Sequence, residues 1–259
     1  MLTGPVARLA AYIWRTFRTG IGFGVFGLGA LVIAAFFPLL AWLPGDRERR
    51  AQRVVHQTFR LWVWFATVLG LLRVRWHGRE RLRGPSPCVV VANHPTLIDI
   101  VLLIACMPQA DCVVKSAAWK NPFLRWVLRA AGYVRNDRGS ALIDDCAARV
   151  AHGRWLVLFP EGTRSPLRRL GPFHRGAAHV ALRAQAPLLP VVITCEPPTL
   201  MKGQKWYHVP NRTAQFTVQV GEPIAATELP SPAATALAAR QLTGDIRTLF
   251  EERLQHAGA

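Results

Sequence analysis

The stretch VVVANHPTLIDIVLL, residues 89–103, sets a histidine and an aspartate between two apolar runs, where a core should be closing. His94 and Asp99 could be a helix cap with its partner, metal ligands, or a general base with its orienting acid. Their i, i+5 spacing would put them about 140° apart on one regular helix. Pro95 changes that geometry, because it disfavours the α region for His94 and itself suits the first helical position. His94 then precedes the helix while Asp99 occupies its second turn, from which a carboxylate can reach back to the imidazole. In that arrangement Asp99 fixes the tautomer and supports the protonated ring, and the other ring nitrogen is free to act as a base.

A second polar turn lies in VLFPEGTRS, residues 157–165, where an apolar strand ends at Pro160. Ligands of α/β folds bind at the carboxyl ends of strands. There Gly162 permits close backbone approach, Thr163 offers a hydroxyl, and Arg164 supplies a planar fork suited to phosphate. Glu161 and Arg164 could equally form a surface pair, but a second polar turn at a strand end points to a site shared with His94. Metal chemistry finds little support: His174 and His179 are five residues apart, not the four that put two ligands on one helix face. Lys115, Lys120, Arg125 and Arg129 suit either an anionic-cofactor groove or a basic surface. Asp137, Asp144 and Asp145 read as helix-start and surface charges.

The elements that must position these residues alternate in type. Strands are predicted at 88–92, 112–115, 155–159, 188–194 and 214–220, and helices at 98–107, 122–131, 140–151, 174–184 and 233–255. Such alternation indicates an α/β domain, a mixed sheet covered by helices, over residues 75–259. PPTLMKGQKWYHVPNRT reads as a long surface loop or lid, and ELPSPAATA as a joint before an amphipathic last helix. Residues 1–74 form a different segment, hydrophobic and helical, expected to anchor the chain to a membrane. Residues 21–43 carry no charge, about the length that crosses a hydrocarbon layer. Arginines flank this run on both sides, so a shallow hairpin in one leaflet is preferred to a span; a helical pair packed on a soluble domain is the remaining alternative. The shorter run at 61–72 should lie in the interface or bend back, and Trp14, Trp42, Trp62, Trp64 and Trp76 are expected as interfacial anchors.

Composition narrows the class further. Hydrophobic residues make up 51% of the chain, and the formal charge of +17 favours anionic partners. No helix-turn-helix, zinc or RNA-sheet signature accompanies that charge, so nucleic acid is not the expected partner. The five cysteines are scattered and form no CxxC pair, which suits small buried residues in a reducing compartment.

NHPTLID, with its His-x4-Asp signature, and FPEGTRS together resemble the lysophosphatidate (1-acylglycerol-3-phosphate) acyltransferase family of glycerolipid acyltransferases. AAGYVRND (130–137) resembles that family's arginine-bearing block and APLLPVVI (186–193) its proline-bearing strand. FHRGAAHVA (173–181) resembles its Phe-Lys-x-Gly segment, with Arg175 in the usual lysine's place. The resemblance covers about residues 75–225. It implies acyl transfer without a covalent enzyme intermediate, no cofactor or metal, and acyl-CoA or acyl-carrier protein as co-substrate. His94 would deprotonate the acceptor hydroxyl, with Asp99 orienting it. Glu161, Gly162, Thr163 and Arg164 would hold the acceptor lipid, Arg164 on its phosphate, with Arg135 as a second anionic contact. Pro190 would shape the acyl side, and a backbone amide near the start of the His94 helix would face the oxyanion. The expected location is the cytoplasmic face of the inner membrane. The alternatives are another lyso-lipid acceptor, such as lyso-ornithine lipid, or a non-catalytic basic membrane protein on the same fold; oligomeric state is left open.

Overall fold

The computed structural model describes residues 4–40, 45–139, 141–166, 169–226 and 235–257. Trp42 and residues 228–234 of the Pro-rich joint lie outside the described residues. The centre of the fold is β2 (Val89–Ala92), in which every residue is fully buried. An apolar run without alternation belongs in the middle of a parallel sheet covered on both faces. β2 pairs in parallel with β5 (Leu156–Leu158) on one side and β6 (Leu188–Glu196) on the other. β3 (Asp111–Val114) continues the sheet beyond β5, and β4 (Val134–Arg135) lies beyond β3, both parallel. On the far side β7 (Ala214–Val220) runs antiparallel to β6, and β1 (Leu72–His77) pairs in parallel with β7. The outcome is a seven-stranded mixed sheet in the order β1-β7-β6-β2-β5-β3-β4.

Helices cover both faces. α6 (Ala141–Ala151), α7 (Gly176–Ala184) and α8 (Thr235–Ala257) pack over Val89 and Val91. α2 (Arg47–Val68) and α3 (Asp99–Ile104) pack over Val90 and Ala92. α4 (Ser116–Trp119) and α5 (Pro122–Ala130) follow β3. All the predicted strands and helices of the α/β domain form. β1, β4 and α4 were not anticipated: β4 and α4 are too short to show a period. β1 does alternate, with Leu72, Val74 and Trp76 turned inward and Arg73, Arg75 and His77 exposed. Its first residue, however, closes the apolar run at 61–72.

The amino-terminal segment is more tightly joined to the domain than its composition implies. α1 (Pro5–Leu40) is one continuous helix, about 54 Å long at the standard rise. It pairs with α2 through Trp62, whose Nε1 donates to the Gly22 carbonyl at 2.9 Å, and through Phe26 stacked on Phe59. Those pairings run the two helices antiparallel, so the reversal of a hairpin falls between α1 and α2. α2 then sinks Ala51, Val55, Trp62 and Ala66 into the core, and β1 spans the boundary expected between residues 74 and 75. Trp62 is therefore a core residue; Trp14 and Trp64 are more than half exposed, as interfacial side chains should be. The outer side of α1 is apolar, with Leu9, Ile13, Phe17, Leu28 and Phe36 all exposed. Residues 5–36 are long and apolar enough to cross a membrane, and little of their most apolar stretch is buried.

A charged network fastens α2 to the sheet. Asp111, fully buried at the start of β3, accepts from Gln52 at 2.7 Å and from Arg154 at 2.8 Å, with Arg149 at 3.4 Å. Glu48 bridges the same two arginines from the first turn of α2. Burial pushes the Asp111 carboxyl up from its ordinary value, and Arg154 and Arg149 hold it back. Removing the central anion takes one acceptor each from Arg149, Arg154 and the Gln52 amide, leaving the arginines Glu48 and the amide the Ala131 carbonyl, so Asp111→Ala should cost about 2–3 kcal/mol of stability. Urea unfolding of the purified variant reads this directly; an unchanged midpoint would show that the network does not fasten α2.

Candidate active site

His94 and Glu161 follow β2 and β5, which are neighbouring parallel strands, so the two polar turns emerge side by side at one edge of the sheet. The His94 Nδ1 lies 2.9 Å from Asp99 Oδ2. The route to that contact differs from the expected one. Pro95 does not begin a helix; residues 95–98 form a turn and α3 starts at Asp99, which therefore sits in the first turn. Asp99 also accepts from the Thr96 amide at 2.7 Å and the Thr96 hydroxyl at 2.6 Å. Those two bonds close the turn and explain how residues five apart meet without a helix between them.

Asp99 is fully buried, and burial pushes its carboxyl up from the ordinary value while the His94 ring and Thr96 donors oppose that shift. The imidazole stacks on Phe159, with centroids 4.3 Å apart, and its Nε2 has no hydrogen-bond partner among the described residues. With Nδ1 committed to a carboxylate, this arrangement can accept a proton at Nε2 and share the resulting charge with Asp99.

The second turn holds the first in place. Glu161 is 2% exposed and turned inward, where its Oε1 accepts from the His94 backbone amide at 3.2 Å and from the Ser165 hydroxyl. Its Oε2 accepts from the Gly171 amide at 2.7 Å. The Ser165 amide in turn donates to the His94 carbonyl at 2.7 Å. Both backbone groups of His94 are thus bolted to the neighbouring turn. Gly162 has φ +60°, and a Cβ there would meet the His174 ring at 3.3 Å, so the turn requires glycine. Thr163 is half-buried in the same turn.

Arg164 reaches across to a loop, its Nη1 donating to the carbonyls of Leu200 and Met201 at 2.9 and 3.0 Å. The Leu97 amide binds the same Leu200 carbonyl. That loop belongs to the long connection between β6 and β7, and its far part touches α1. Tyr12 donates to the Tyr207 carbonyl at 3.0 Å and Trp206 packs against Phe23. Between them runs a narrow apolar cleft lined by Gly22, Phe23, Trp62, Ile98, Leu200 and Val209. Ile98 places this cleft four residues from His94.

Other predicted residues fall elsewhere. Arg135 is exposed on β4, three strand spacings or about 14 Å from β2, and pairs with Asp137 at 2.6 Å while lying over Trp119. Pro190 is buried inside the sheet in register with Val91, its carbonyl bound by Gly221. In the turn before α3, the Thr96 and Ile98 amides are spent on local acceptors, the Leu97 amide on the Leu200 carbonyl, and Pro95 has none. Asp144 and Asp145 make surface pairs with Arg183 and Arg138. No group of three or more His, Cys, Asp or Glu side chains is placed to hold a metal among the described residues.

Ser165 and Asn93 were not anticipated. The Asn93 side chain exchanges two hydrogen bonds with the Ile193 backbone, at 2.7 and 2.8 Å, fixing the end of β2 to β6. A polar residue directly after a fully apolar strand was the available signal. Replacing Glu161 by glutamine keeps its size but turns one of its two accepting oxygens into a donor facing buried donors. Glu161→Gln should therefore lower stability by about 1–3 kcal/mol in a chemical unfolding experiment; a wild-type midpoint would mean that the carboxylate is not the bolt.

Comparison with known proteins places this geometry in context. Residues 73–194 match the Acyltransferase family model. The chain is 27% identical over 176 residues to the 1-acyl-sn-glycerol-3-phosphate acyltransferase of Pseudomonas aeruginosa, covering 64% of each chain. It is 32% identical over 164 residues to the enzyme of that name from Cocos nucifera, covering 60% of this chain and 51% of the relative. These matches therefore span between about half and two thirds of the relatives' length. The crystal structure of the 1-acyl-sn-glycerophosphate (LPA) acyltransferase from Thermotoga maritima superposes with a TM-score of 0.71 at 21% identity, covering 97% of this chain and 98% of that one, and so shares the fold.

Proposed function

We propose, from the match of residues 73–194 to the Acyltransferase family model, that the protein moves a fatty acyl group from a thioester donor, acyl-CoA or acyl-carrier protein, to the free hydroxyl of 1-acyl-glycerol 3-phosphate, giving phosphatidic acid. The observation that carries this reading is the His94–Asp99 pair bolted by its backbone to the Glu161 turn. The names of the relatives supply the acceptor.

His94 Nε2 takes the proton of the acceptor hydroxyl as its oxygen attacks the thioester carbonyl. Asp99 supports the imidazolium that forms. When the tetrahedral intermediate collapses, the carbon–sulfur bond breaks, the ester forms, and His94 returns the proton to the departing thiolate. Arg164 keeps Nε and Nη2 for the acceptor phosphate while Nη1 holds the loop. Gly162 and Thr163 let that phosphate approach the backbone, and Glu161 acts through His94 instead of touching the lipid. Arg135 is an outer anionic contact that must exchange Asp137 for phosphate. The apolar cleft beside Ile98 takes acyl methylenes. The outer side of α1 sits in one leaflet, on the cytoplasmic face, which brings lipid to the cleft without leaving the membrane.

Incubating the purified protein with several lyso-acceptors and both donor types, with products read by mass spectrometry, tests the assignment. Transfer to 1-acyl-glycerol 3-phosphate is expected; transfer confined to acceptors lacking a phosphate would overturn it. His94→Ala should lower turnover by about 10²–10⁴-fold while the protein still folds and binds vesicles. Near-normal turnover in that variant would sink the mechanism.

A further inference from the structure

Away from the two turns, a second groove opens between the outer flank of α2, the edge strand β1 and the carboxyl end of α3. It encloses about 430 Å³, within the usual range for small-ligand sites. Its walls are of two kinds: Arg60 and Arg79 bring positive charge, while Leu61, Trp64, Trp76 and Leu102 bring apolar surface. No acidic side chain lines it. Arg79 lies over the Trp76 ring at 5.5 Å and donates through Nε to Cys106 Sγ at 3.2 Å, which fixes its plane. Its terminal nitrogens have no acceptor among the described residues, and Arg60 has no hydrogen-bond or ion-pair partner there at all. Arg83, close by, is committed to the Cys106 carbonyl.

The clustered charge acts on buried neighbours. Burial raises the Cys106 thiol, and Arg79, Arg83 and Arg60 oppose that rise. His56 is pushed down by burial, with Arg60 and Arg83 adding to the effect.

Two guanidinium forks without an acid between them suit a phosphate. The lip of the groove decides which kind. Leu61 and Trp64 are 63% and 61% exposed, and with Val68 they form an i, i+3, i+7 stripe along α2. A free phosphate would leave that stripe in water, whereas a lipid covers it. We propose that this groove binds the headgroup of an anionic glycerophospholipid, with its phosphate between Arg60 and Arg79 and its first methylenes against Leu61 and Trp64. This rests on the reading that α1 and α2 meet a bilayer. The site is distinct from the catalytic turns, separated from them by the length of α3, about 9 Å. It would seat the enzyme on anionic patches of the membrane.

The full-length protein is tested by flotation with phosphatidylcholine vesicles and with vesicles containing phosphatidylglycerol as well. Wild type should prefer the anionic vesicles. Arg60→Gln/Arg79→Gln, and Arg60→Gln to a smaller degree, should lose that preference by about tenfold while keeping the binding to phosphatidylcholine that α1 provides. Arg53→Gln, an equally exposed change on α2 outside the groove, should keep it. Equal loss in the Arg53 variant would mean diffuse attraction and overturn the site. Inorganic phosphate at millimolar excess abolishing the preference would assign the groove to a soluble anion instead. Failure of wild type to float with either vesicle would overturn the membrane reading first, and the site with it.

Discussion

The buried carboxylate of Glu161 is the constraint on which the site depends. It sits at the end of one strand and accepts from the backbone of the residue that ends the next, so two separate turns behave as one rigid body. A dry setting strengthens each of those bonds and makes each expensive to lose. Ser165 completes the bolt by tying the His94 carbonyl as well as the Glu161 carboxylate. The histidine then needs little help from its own helix. Thr96 and Asp99 close a short turn beneath it, Asn93 pins the strand before it, and Phe159 covers the ring.

The same rigidity reaches outward through Arg164. Its guanidinium holds the loop after β6, that loop rests on α1, and α1 rests on α2. At its opposite end α2 is fastened to the sheet by the network around Asp111. The apolar amino terminus is thus not an appendage. It is clamped at both ends to the domain that carries the site, with one side in the core and the other exposed and apolar. An exposed apolar surface and the His94–Asp99 pair are held at a fixed separation, as the proposed acyl transfer between amphipathic substrates would require.

Much of this was legible in the residues. His94, Pro95 and Asp99 announced a polar pair at a strand end, and Glu161–Arg164 announced a second turn, because charged residues between apolar runs are costly unless used. The α/β alternation followed from period, and the long helices from length. What escaped was short or shared. β4 has two residues and no period, and β1 hid its alternation behind the last leucine of an apolar run. Ser165 looked like an ordinary turn residue because its partner lies 71 positions away.

The sequence by itself determined which side chains could do chemistry and that two strands would present them, since residue type and hydrophobic period are local properties. Only the tertiary structure decided their division of labour. Glu161 looked like a ligand-binding group in the chain, but parallel pairing of β2 with β5 turned it inward as the bolt behind His94. Arg135 was expected as a second contact to the acceptor's anionic group, yet strand order set β3 and β5 between it and His94. Register and strand order are set by packing between distant segments, and no window of the chain contains them.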